Sequence, residues 1–301
     1  MKNKLILLCL LLCSTMFGQN LVKNPGFEKY HHLPDSALFE GLRLMDTVFS
    51  ARYWHRPPML TPNYFHVNSK HADFGIPHSF LGYHPALDGS SAHIGAVVLS
   101  LQDISIPFSG ELTEPLVEGQ KYRISFYYRF AHLKSYFLLD KMEAYISLNN
   151  WITELHGPHP FHTDITVPFD TVTFRFHPII ANVTFQPITN DGQWHRAVGY
   201  FTAKGGERYI SIGIFFQSEE FFDAINTYVS FLRFSGLSPR RRDLRRFYRR
   251  YQDVLCFIHR NPLFSPAQTD RELRRLGYTS RSQWAYYFFD NISVEAVQAE
   301  N

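Results

Sequence analysis

The stretch AYYFFDNISVEAV, Ala285 to Val297, decides how this chain is read. It runs apolar and aromatic into an Asp-Asn pair and then alternates in period two. Ile292 and Val294 point one way and Ser293 and Glu295 the other, the pattern of a β-strand with one buried face. Near the opposite end lies its expected companion, NLVKNPGFE, Asn20 to Glu28. An opening strand carrying Glu28 and a closing strand carrying Asp290 predict a β-sandwich whose termini meet. The two carboxylates then share one seam, where a hard cation such as calcium can hold them together.

The same alternation recurs inward. In KYRISFYYRF, Tyr122, Ile124, Phe126, Tyr128 and Phe130 share one face, while Arg123, Ser125, Tyr127 and Arg129 share the other. Met142, Ala144, Ile146 and Leu148 alternate with Glu143, Tyr145 and Ser147. Gly89 to Leu101 reads as a buried strand, VTFRFH and NVTFQP as two more. Asp191 to Phe216 reads as two strands joined by a turn at Lys204-Gly205-Gly206. Tyr30 to Pro107 is otherwise rich in Pro, His and Gly, which predicts turns. Helical periodicity is confined to one place: Leu244, Phe247, Tyr248, Tyr251, Leu255 and Ile258, with Pro239 as a start signal and Asn261-Pro262 as an end. A second short helix is expected from Ser265 to Leu276.

Composition sets the context. The 301 residues suffice to bury a core, and 28 Phe with 17 Tyr suit pleated sheets and sugar-facing surfaces alike. Net charge is +3, but from Arg240 to Arg281 there are 12 Arg against Asp243, Asp253, Asp270 and Glu272, a local +8 that leaves −5 for the rest. MKNKLILLCLLLCSTMFG has the form of a secretory signal peptide cut after Gly18, and Leu rather than a small residue before Cys13 argues against lipoprotein processing. Removing it leaves Cys256 alone, so the mature domain 19–301 can form no internal disulfide. Cys256 falls on the apolar helical stripe and is expected to be a buried thiol. No later segment is apolar enough to span a membrane. The simplest division is a leader, 1–18, and one all-β domain with a helical, arginine-rich insertion at 236–283.

Six phrases carry a family resemblance in order: NLVKNPGFE, TPNYFH, FGIPHSFLGYHPALDGSSAHIG, ELTEPLVEGQKYRISFYYRFA, DGQWHRAVGYFTAKGGERYISIGIFF and YYFFDNISV. They resemble exported Bacteroidota proteins in which a jelly-roll, galactose-binding-like domain, similar to carbohydrate-binding modules, often precedes an OmpA-like peptidoglycan-binding domain. This chain departs from them in having no OmpA-like stretch after Val297, Asp290-Asn291 where the family has Asp-Asp, and the arginine-rich insertion. The resemblance implies a jelly-roll sandwich with glycan or another envelope component as ligand, in the periplasm or at the outer surface. It also implies a structural calcium held by Glu28, Asp290 and carbonyls from the loop Gly89 to Ser91. The bland alternative is two unrelated surface carboxylates.

A sugar site needs aromatic platforms with polar groups for the hydroxyls. Arg123, Tyr127, Arg129, Glu143 and Tyr145 supply such a set on the polar sheet face, with Trp54, Tyr64, Tyr83 and Trp151 as loop aromatics. Taken singly, each is better explained by a covered sheet face or a loop wedge. His31-His32 and His156, His159 and His162 read as solvated loops rather than metal ligands. There is no Gly-x-Ser-x-Gly, HExxH or phosphate-binding glycine loop. Asp88 with Glu111 or Glu114 is the acid pair that a glycan hydrolase would require. The basic helix between Arg240 and Arg260 is either a dock for an anionic or protein partner or an amphipathic helix paired to the acidic domain; export makes nucleic acid an unsuitable ligand. The expected function is therefore non-catalytic binding, with an assembly role and a hydrolase as alternatives.

Overall fold

The computed structural model describes residues 18–34, 51–55, 62–100, 108–150, 182–215, 224, 241–253, 255–265, 271 and 284–298. Among the expected features, the leader up to Phe17, Trp151, the His156 to His162 loop, the run VTFRFH and all but Ser265 and Arg271 of the second helix lie outside these residues. Two five-stranded sheets dominate. One has the order β1 (Trp54–His55), β6 (Phe108–Glu111), β12 (Tyr209–Gly213), β9 (Met142–Ser147), β10 (Val183–Phe185). The other has the order β11 (Trp194–Thr202), β7 (Lys121–Phe130), β14 (Trp284–Ala296), β5 (Ala92–Ser100), β2 (Asn63–His66). Their ladders are antiparallel throughout. Two short pairs, β3 (His78–Ser79) with β4 (Gly82–Tyr83) and β8 (Phe137–Leu139) with β13 (Ile258–Arg260), complete the set.

The alternation explains the packing. Ile124, Phe126, Tyr128 and Phe130 of β7 face Met142, Ala144 and Ile146 of β9 and Ile210 and Ile212 of β12 in one buried core. Rings meet across the gap between sheets, Phe108 against Phe289 at 5.0 Å and Phe126 against Phe185 at 4.8 Å. This is an all-β sandwich. Leu148, expected on the inner face, lies beyond the end of β9 and is exposed.

The opening segment is not a regular strand. It bridges the two sheets instead. Leu21 N donates to Val294 O at 2.9 Å, while Thr113 N donates to Leu21 O at 2.7 Å and Lys23 N to Glu111 O at 2.9 Å. Asn20 ties the same seam through its side chain, giving to Ile292 O (3.0 Å) and accepting from Val22 N (3.0 Å) and Val294 N (3.1 Å). The segment thus takes over from β5, which pairs only with Trp284 to Phe289, the first half of β14. At the changeover the register slips between Asp290 and Ser293, and Asn291 adopts φ 47°, a left-handed conformation that Asn tolerates.

Three expectations change. The Lys204-Gly205-Gly206 turn does join two strands, but β11 and β12 belong to different sheets, so it is an arch rather than a hairpin. The Glu207 carboxylate fixes the arch by accepting from Lys204 N (2.6 Å) and Gly205 N (2.9 Å). In the basic region a helix, α1 (Arg241–Arg250), is present, with Tyr251 and Leu255 buried against the core and Phe247 packed beside them. It does not run on to Ile258, which opens β13; strand pairing with Phe137 to Leu139 wins over the helical period there. Cys256 lies in the turn between and is exposed, contrary to expectation. No described helix is long and apolar enough to cross a membrane.

Because Asn20 alone satisfies three backbone groups of the seam, Asn20→Ala is expected to lower the unfolding free energy by about 2 kcal/mol. Gln19→Ala, one residue away and exposed, should change it little; chemical denaturation of both variants checks this.

Candidate functional site

The expected ligand set divides among four places. On β7, Arg123 and Tyr127 occupy an open part of the outer sheet face. Arg123 pairs with Glu295 directly opposite on β14, Nη2 to Oε2 at 2.6 Å. On the other side β11 presents Arg196 opposite Tyr127, Val198 opposite Ser125 and Tyr200 opposite Arg123. The Arg196 guanidinium lies 5.9 Å from the centre of the Tyr127 ring and donates to Ser125 Oγ at 3.0 Å. Tyr200 is 53% exposed, with Lys121 Nζ 5.3 Å from its ring centre. The open face therefore carries two tyrosine rings among fixed cations and a carboxylate.

The other expected ligands leave this face. Arg129, two residues beyond Tyr127, is 6% exposed, because the segment from Phe74 to Ala86 folds over that end of the sheet. Phe65, Phe74, Phe80, Leu81, Tyr286 and Phe288 make a second small core there. Glu143 and Tyr145 belong to β9, in the opposite sheet. The Glu143 carboxylate is fully buried, accepting from Lys141 Nζ (3.1 Å) and from Phe215 N (2.7 Å). Trp54 is a core residue, its Nε1 donating to Asn24 O at 3.0 Å and its ring lying where a side chain on Gly110 would be. Tyr64 is buried as well, and only Tyr83 of the described loop aromatics is exposed. Parity along the chain finds the faces but not what covers them.

Sequence reasoning placed a strand where β11 lies but named no ligand residue on it. Its outward residues, Arg196, Val198 and Tyr200, alternate with His195, Ala197, Gly199 and Phe201. The inward side is masked by its small residues: a side chain on Gly199 would collide with Val183 and Phe185. Small residues at a close approach, rather than large apolar ones, mark the buried face here.

The seam places Glu28, Asp290 and the turn at Gly89 together. Ser90 N donates to Leu87 O at 2.9 Å, closing a turn that Gly89 completes with φ 79°. Ser90 Oγ then lies 3.0 Å from Glu28 Oε1 and also bonds Asp290, while Ser91 gives both its N–H (2.8 Å) and its hydroxyl to Glu28. Ser91 is thus a donor to Glu28, and its carbonyl accepts from Val67 N at 2.9 Å. Burial raises the Asp290 carboxyl to about 7; bonds from Ser90 and Asn291 N oppose the rise and the Glu28 charge adds to it. Its Oδ2 is buried with no hydrogen-bond partner. Burial also pushes Glu28 up, but the bonds from Ser91 and Ser90 outweigh it and hold this carboxyl below its ordinary value. One Ser90 proton thus faces Glu28, Asp290 and Ala92 O, an excess of oxygen lone pairs over donors that suits a hard cation. Among the described residues no three His, Cys, Asp or Glu side chains cluster as metal ligands, so carbonyls, hydroxyls or water would supply the remaining oxygens.

The candidate acid pair is weakened by Glu111, which accepts from Lys23 Nζ (2.8 Å) and His55 Nε2 (3.0 Å). Burial raises its carboxyl, but these two partners more than reverse the effect, the opposite of what a general acid needs.

No protein-family model matches the chain, and no curated protein does. Solved structures do match in outline. A candidate sugar-binding protein from Bacteroides thetaiotaomicron matches at a TM-score of 0.36 and 9% identity, over 93% of this chain and all of the other, 100%. The K1 cleaved adhesin domain of Lys-gingipain from Porphyromonas gingivalis gives 0.33 and 11%, over 85% and 96%. A xylan-binding domain from Paenibacillus barcinonensis gives 0.31 and 6%, over 85% and 92%. Likenesses at these scores assign neither family nor activity, and none of them ties the chain to OmpA-like proteins.

The small core beneath the Phe74 to Ala86 segment contains a buried imidazole pair, His84 Nδ1 to His93 Nε2 at 3.0 Å, with Phe288 stacked 4.3 Å from His84. Burial, reinforced by the charge of Arg129, lowers His84 to about 3. Below about pH 6.5 the unfolded chain binds a proton that the fold refuses, so this stability is complete above 6.5 and is lost as pH falls toward 3. The expected loss approaches ~1.4 kcal/mol for each pH unit below 6.5. His84→Gln should flatten that acid limb, as read by urea melts between pH 4 and pH 7.

Proposed function

We propose that this chain is an exported, non-catalytic binding module of jelly-roll type that takes glycan on the open outer face of β7 and β11. The observation that supports this best is the pair Tyr127 and Tyr200, whose rings flank Arg123, Arg196 and Glu295 on a rigid sheet. Aromatic rings offer apolar faces to sugar C–H groups, and fixed charged donors and acceptors suit the hydroxyls. A sheet holds both in place without paying loop-ordering entropy on binding. An array of glycans should give at least one binder, and calorimetry with that glycan should show Tyr200→Ala and Tyr127→Ala each weakening it roughly tenfold. Binding left unchanged in both variants would place the site elsewhere.

Calcium is the second part of the reading. Glu28 and Asp290 would hold the ion, with the Gly89 to Ser91 turn beside them. The buried, unpartnered Asp290 Oδ2 supports it. The ion would relieve the two carboxylates of their mutual repulsion and fasten the opening segment to β14; it would take no part in chemistry. Added calcium should raise the thermal midpoint of the wild type over that in chelator, and Asp290→Asn should remove the difference. An equal midpoint in both conditions would refute it.

An assembly role is favoured by one observation, the outward arginines of α1. Arg245, Arg246, Arg249 and Arg250 are exposed, Arg245 and Arg249 on the face opposite Phe247, and could dock an anionic envelope surface or protein. Salt-sensitive retention on an acidic polysaccharide, lost in a double Arg245→Glu, Arg249→Glu variant, would support that docking.

A further inference from the structure

Arg129 stands apart from every other cation described. Its residue is 6% exposed, yet among the described residues no hydrogen bond or ion pair reaches its guanidinium. A buried charge without a partner is costly and is rare for that reason. Asp191, whose charge Arg129 feels, is already engaged, its Oδ1 accepting from Gln193 N (2.8 Å) and His195 Nε2 (2.7 Å). Asp191 and Tyr83 favour the charged guanidinium from a distance, but burial is the larger effect and lowers its proton affinity. Arg keeps its proton nonetheless.

The guanidinium is not sealed. None of its nitrogens is both fully enclosed and without a hydrogen bond. Unbonded N–H groups of this largely buried residue therefore touch solvent. Around it lie Tyr83, exposed at the rim, His84, His132 and the Asp191 to Trp194 turn, where Trp194 Nε1 donates to Pro85 O at 2.9 Å and pins the covering segment. Burial and the nearby Arg129 keep His132 neutral at ordinary pH, so it adds a polar edge without a competing charge. The five N–H donors of a guanidinium form a planar fork that matches an oxyanion in two parallel bonds.

We propose that Arg129 is the anion-recognising centre of a half-enclosed pocket at the covered end of the β7 face, and that it takes the carboxylate or sulfate of an acidic saccharide. The inference rests on the binding reading above, since Tyr127, two residues along the same face, would carry the neighbouring sugar ring. It adds the ligand's charge. A uronate and a sulfate ester share the chemistry, so both are tested.

Thermal melts of the intact mature protein with sodium glucuronate, glucose, sodium sulfate and sodium chloride at matched ionic strength decide it. Glucuronate or sulfate should raise the midpoint in a saturating way, and glucose and chloride should not. A response to glucuronate alone identifies the carboxylate, and one to sulfate alone the sulfate ester. Arg129→Met should abolish the response while leaving the ligand-free midpoint close to wild type, because it removes a charge that no described protein group pairs with. Tyr200→Ala should keep the response even where it loses glycan, which separates failure of the pocket from failure of the open face. Wild-type protein that answers glucuronate and sulfate no better than glucose and chloride overturns the proposal, whether or not Arg129→Met folds. So does a response that survives Arg129→Met.

Discussion

The opening segment is held between the two sheets by main-chain bonds, Leu21 N to Val294 O on one side and Thr113 N to Leu21 O on the other. Each sheet alone has an apolar face and unpaired edge groups, and the sandwich exists because something closes them against each other. Here residues 20–25 do so, and the second half of β14 depends on them for its outer pairing. The bulge at Asp290 follows from that arrangement. Where β14 changes neighbours from β5 to the opening segment, the register slips and a carboxylate is left buried beside Gly26 and Ser90. The candidate ion site is therefore built into the closure of the fold.

The outer face of the second sheet is divided by what covers it. The segment from Phe74 to Ala86 lies over one end, where Phe65, Phe80, Tyr286 and Phe288 exclude water and lower the proton affinity of His84 and Arg129. The other end stays open and keeps Tyr127, Tyr200 and the Arg123–Glu295 pair at the surface. One strand, β7, runs through both environments. A single alternating stretch thus offers an exposed aromatic surface and an enclosed cation within two residues of each other, a combination that suits an elongated ligand with charge at one end.

Much of this was legible in the chain. The alternation in KYRISFYYRF gave the buried and outward sets of β7 correctly, because large apolar side chains repeat there without interruption. Ile292 and Val294 were likewise assigned inward, and Glu28 was placed with Asp290. Other features depend on tertiary partners that local pattern does not name. Glu143 and Arg123 have the same parity on their strands, yet they lie in different sheets. Trp54 reads as a loop aromatic until Gly110 is seen to leave room for its ring. Ile258 fits a helical stripe but pairs with Leu139 in a sheet, since a partner strand outweighs a weak periodicity at a helix end. On β11, Ala197 and Gly199 concealed the face that bears Tyr200.

The most direct test of the account is an NMR titration of protein carrying 13C-labelled tyrosine rings with whichever saccharide binds. If the open face of β7 and β11 is the site, the ring signals of Tyr127 and Tyr200 move as ligand saturates, with Tyr83 following when the ligand is acidic, while those of the buried Tyr286 and Tyr287 hold still. Saturable binding that leaves Tyr127 and Tyr200 unmoved would contradict it.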